Sequence, residues 1–105
     1  MVRELARYKG VDLWLEDSGW LLLAGDFKFE GGGLGFGYQM DTEFLKGFMG
    51  VWGVEFLSEV DDKPCWVTHD DERITLVEPL FPDEGTPFDV EAWRVARSKK
   101  EIKNA

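Results

Sequence analysis

His69 is the single histidine of the chain, and it stands directly before Asp70, Asp71 and Glu72. An imidazole beside carboxylates is a legitimate ligand set for a divalent metal and a legitimate acid–base pair. The order of the residues favours a plainer reading. On a strand, His69 and Asp70 project to opposite faces, and successive aspartates are what a hairpin turn uses. Neither a second histidine nor the spacing of a calcium loop accompanies them. Asp61-Asp62 and Asp83-Glu84 offer further carboxylate pairs of the kind a glycosidase needs, but an acidic chain offers many such pairs and nothing singles one out. Cys65, the single cysteine, lies four residues from His69. On one strand that is about 13 Å, too far for a hydrogen bond. Ser18, Ser58 and Ser98 stand outside any G-x-S-x-G setting. The run Gly31–Gly37 has neither a G-x-G-x-x-G register nor a following G-K-[ST], so it reads as a turn and a thin strand rather than a phosphate cradle. These spacings predict a protein that is not an enzyme and that uses no metal and no cofactor.

The elements that would carry these residues follow from periodicity. Val11, Leu13 and Leu15 alternate with Asp12, Trp14 and Glu16, which predicts a strand with one buried face. Asp17-Ser18-Gly19 is a turn, and Trp20–Phe29 is a second, nearly continuous apolar strand suited to the interior of a sheet. Leu34–Tyr38 continues with large residues on one face and glycine on the other. Asp41 is placed to cap a helix over 41–52, in which Phe44, Leu45, Phe48, Met49 and Trp52 form an apolar stripe. The glycines at 47, 50 and 53 imply close packing. Residues 65–78 predict a second hairpin turning at Asp70-Asp71-Glu72. A last helix is expected over 89–100, with Glu91 in its first turn and Arg94, Arg97, Lys99 and Lys100 towards its end. The sum is a single α+β domain over 1–105: an antiparallel sheet of four to five strands with two helices packed on it. The ends, 1–8 and 101–105, are expected to be loose.

Composition bounds the partners. The chain has 105 residues, of which 44% are apolar, including five Trp and eight Phe. That is ample for one core. One cysteine excludes an intramolecular disulfide and fits a reducing compartment. No uncharged run approaches the ~20 residues of a membrane-spanning helix, and MVRELARYKG lacks the apolar run of a signal peptide, so the cytoplasm is the expected location. The net charge of −9 is uneven: residues 10–92 hold nineteen acids and four bases, while 1–9 and 93–105 are basic. Such a body repels nucleic acid and anionic lipid and is drawn to basic protein surfaces.

The segment from Gly33 to Glu72 carries the glycine–aromatic run GGGLGFGYQM, the helix EFLKGFMGVWGVEFLSEV and a strand ending in VTHDD. It resembles small uncharacterised proteins of tailed bacteriophages and prophages, although Asp62-Lys63 stands where such proteins have Gly-Lys. The resemblance covers about 40 residues and implies an origin rather than an activity. With the charge layout, it leads to the expectation of a phage-type protein acting in the host cytoplasm. It would bind a host protein with a basic surface, without membrane or direct nucleic-acid contact, and antagonise a nucleic-acid-handling or defence complex in the manner of anti-CRISPR proteins and nucleic-acid mimics. The expected contact residues are Asp61, Asp62, Asp70, Asp71, Glu72, Asp83 and Glu84, with Trp14 and Trp66 as aromatic anchors. The alternatives are a self-associating accessory module, such as a homodimer, and a small metal-assisted enzyme at His69.

Overall fold

The N-terminal residues set the centre of the structure. In the computed structural model, which describes residues 1–103, β1 spans Val2–Leu15. Within it Ala6 and Tyr8 are buried while Arg3, Leu5, Arg7 and Lys9 are exposed. This is a period-two pattern that a count of charges conceals. Of residues 1–8, expected to be loose, 2–8 are therefore strand. They pair with β5 (Pro64–His69) on one side, from Val2↔His69 to Arg7↔Pro64, and with β2 (Leu21–Phe29) on the other. The other end departs from expectation too: α2 runs over Val90–Lys103, and residues 104–105 lie outside the described residues.

Among the described residues seven strands form one antiparallel sheet rather than four to five. Six lie in the order β3 (Gly32–Gly35), β2, β1, β5, β6 (Ile74–Pro79), β7 (Phe88–Asp89), and β4 (Tyr38–Gln39) also pairs with β2. Two strands exceed the expected five: β7, and the second of the two pieces, β3 and β4, that replace the strand expected at 34–38. The segment expected as one strand at 34–38 divides into β3 and β4, with the Phe36 N–H bonded to the Gly25 carbonyl at 2.8 Å between them.

α1 covers Thr42–Gly50, somewhat shorter than the expected 41–52. Asp41 caps it by accepting from the Phe44 N–H at 2.8 Å. Phe44 and Phe48 bring its apolar stripe onto the inner face of the sheet, where Tyr8 stacks on Phe27 at 4.9 Å and Phe48 meets Tyr8 edge-on at 5.1 Å. Gly47 lets β7 approach: a Cβ there would lie 2.5 Å from the Phe88 ring. Asp89 caps α2 through the Ala92 N–H at 2.8 Å, and Trp93 then packs on Phe44 at 4.8 Å. The α+β class is as the sequence implies. No helix among the described residues is long and apolar enough to cross a membrane.

The first hairpin differs from its expected form. Val11 is half-buried, but Leu13 and Leu15 are exposed, although they lie on the inward face. Leu13 pairs with Leu23, the last buried residue towards the hairpin's tip, so β1 and β2 beyond this point form an arm that leaves the core.

Candidate functional site

The acidic residues singled out in the sequence occupy two ends of β5. At one end, Asp61 accepts from the N–H groups of Gly10 and Val11, at 2.9 and 3.3 Å, where the β1–β2 register shifts. Asp62 takes a left-handed backbone (φ +64°). Its carboxylate meets Lys9 Nζ at 2.6 Å and Arg7 Nη1 at 3.9 Å, and its carbonyl accepts from Arg7 Nη1 at 2.7 Å. The Lys9 hydrogen bond, aided by the nearby Lys9 and Arg7 charges, holds the Asp62 carboxyl below its ordinary range. Both residues thus fasten the loop before β5 onto β1.

At the other end, Asp70 Oδ1 accepts from the N–H groups of Glu72 and Arg73, each at 3.0 Å, and these bonds hold its carboxyl low. Asp71, also left-handed (φ +74°), donates its N–H to His69 Nδ1 at 3.2 Å. That bond leaves the ring proton on Nε2, which donates to Glu4 Oε2 at 2.6 Å. The imidazole is buried and stacked on Phe29 at 4.8 Å. His69 is therefore a packing residue that ties the turn to β1. Glu72 is exposed beside it. Six strand residues separate the two acidic ends, about 20 Å by strand rise.

Asp83 and Glu84 are exposed on the loop after β6. That loop closes on α1 through the Thr86 N–H bonded to the Gly50 carbonyl at 2.9 Å. β6 ends opposite Cys65, where β5 begins, so this pair leaves the sheet at the end carrying Asp61 and Asp62. Asp70, Asp71 and Glu72 are not brought to them.

Of the two tryptophans, Trp66 is half-buried on the outer face. The Arg3 guanidinium lies over its ring at 4.4 Å, and Arg3 also pairs with Glu78 at 3.2 Å. Trp14 is 49% exposed and has neighbours the sequence reading missed: Leu13 at 43%, Leu15 at 67%, Trp20 at 47% and Leu21 at 45%. The signal was present in LWL and WLLL, which are apolar at both strand parities.

Cys65 is buried, and burial pushes its thiol up to about 12, which keeps it from acting as a thiolate. Among the described residues no group of three or more His, Cys, Asp or Glu side chains is placed to hold a metal ion. An open apolar groove of about 690 Å³ lies between α2 and β5–β6, floored by Thr68, Leu76, Ala92 and Val95. The carboxylates at its border are engaged: Asp89 caps α2 and Glu91 pairs with Arg94. No protein-family model, curated protein or solved structure matches the chain.

Proposed function

We propose that the chain is a binding protein of phage type that antagonises a host nucleic-acid-handling or defence complex by presenting an anionic surface to a basic groove. The observation that carries this reading is the disposition of the acids. Sixteen of the nineteen between residues 10 and 92 are exposed. Among the described residues, three of the nineteen, Asp62, Glu78 and Glu91, are seen in ion pairs with lysine or arginine. An outward, largely uncompensated negative surface speeds encounter with a basic partner and makes association salt-sensitive. Asp61, Asp62 and Asp70 are bound into the fold. The carboxylates left to meet a partner include Asp71, Glu72, Asp83 and Glu84, together with those of the first hairpin.

The test is retention of partners from a bacterial lysate on the tagged protein, eluted along a salt gradient. One basic, nucleic-acid-handling complex held at low salt and released as salt rises supports the reading. Retention indifferent to salt, or of nothing specific, removes it. A second reading, self-association, draws on the apolar surface of the first hairpin. Light scattering over a concentration series decides it, since a monomer throughout excludes it.

A further inference from the structure

The geometry points to the β1–β2 arm as the docking element, inserting into an apolar cleft bordered by lysine and arginine side chains on a partner protein. This inference rests on the binding-protein reading above and adds the element and the chemistry of its occupant. A strand with one covered face alternates apolar and polar residues. The arm's tip does not: Leu13, Trp14 and Leu15 run to the turn, and Trp20, Leu21 and Leu22 leave it. Leu13 and Leu15 pair with Leu23 and Leu21 on the inward face, and Trp14 pairs with Leu22 on the outward one. This is the composition of a strand pair buried on both sides, yet five of these large side chains are exposed. Large apolar side chains left exposed on both faces of one short ribbon mark an interaction site, and tryptophan is among the residues enriched as interface anchors.

Charge selects the occupant. The arm with the residue before it, 12–23, carries three acids, Asp12, Glu16 and Asp17, and no base. Arm-to-arm contact between two copies would set like charges against each other, whereas a basic rim would complement them. The arm already receives one guanidinium from its own chain: Arg97 of α2 stands over the Trp20 ring at 5.2 Å. Trp14 offers an exposed ring on which a partner's arginine can rest in the same way.

A photo-crosslinking amino acid at position 15 in the full chain, irradiated in bacterial lysate, identifies the protein against the arm. That protein, purified, is then titrated with the wild type, with Trp14→Ala/Trp20→Ala, and with Asp12→Asn/Glu16→Gln/Asp17→Asn. All the substituted side chains lie at the surface or on the turn, and thermal melts check that each variant remains folded. The expected result is at least a tenfold loss of affinity for the tryptophan variant. The carboxylate variant is expected to lose affinity at low salt and little at high salt. Equal binding by all three chains overturns the arm as docking element while leaving the binding-protein reading intact. A crosslink to a second copy overturns the basic partner. A wild type that retains nothing on a salt gradient defeats the underlying reading itself.

Discussion

Asp61 accepts the two N–H groups exposed where β1 shifts register against β2. Removing its carboxylate leaves both donors to solvent, so Asp61→Ala should lower stability by about 1 kcal/mol, read as a fall in denaturant midpoint. Asp62 and Asp70 are held below the ordinary carboxyl value of 3.8 by Lys9 and by backbone N–H groups. A carboxyl depressed in the folded state adds stability above its unfolded pKa, and that stability is lost as pH falls through the folded value. The difference in Tm between the wild type and Asp62→Asn/Asp70→Asn should therefore be largest near neutrality and shrink below pH 3.8. A difference that grows on acidification would contradict these roles. Asp41 as a helix cap was legible, because its partner lies three residues away. The role of Asp61 was not, because its partners lie about fifty residues back, and strand pairing alone brings them together.

Among the elements, α1 and β7 meet at Gly47, whose added Cβ would lie 2.5 Å from the Phe88 ring. Gly47→Ala gains helix propensity of about 1 kcal/mol but forces the ring aside, with an overpacking cost of about 1–3 kcal/mol. A net loss of stability is expected by chemical denaturation. A gain would show that Phe88 shifts freely. The two helices and the second hairpin could be read from local signals: Asp41 as a cap, the Phe44–Phe48 stripe, Glu91 in a first turn with bases at the far end, and the turn at Asp70. β1 could not be read in full. Its first half alternates Arg3, Arg7 and Lys9 with Ala6 and Tyr8, and charge count outweighed period until pairing with both β2 and β5 was visible. The arm was misread for a related reason. An apolar side chain at an inward parity is buried only where something covers that face, and the core ends at Leu23.

For the whole molecule, charge was legible from composition but its arrangement was not. Of the candidate acids, Asp61 and Asp62 lie before β5 and Asp70, Asp71 and Glu72 after it, and several of them hold the fold together, so the candidate carboxylates do not make one patch. In the proposed docking role, the exposed leucines and tryptophans of the first hairpin would supply affinity and its acids steering. The most direct test is the dissociation constant of the purified partner for the wild type and for Trp14→Ala/Trp20→Ala, measured at low and at high salt. Binding by the wild type should weaken steeply with salt, and the tryptophan variant should be weaker at both salts by a similar factor. An affinity that neither salt nor the loss of the two tryptophans alters would contradict docking through an anionic, apolar arm.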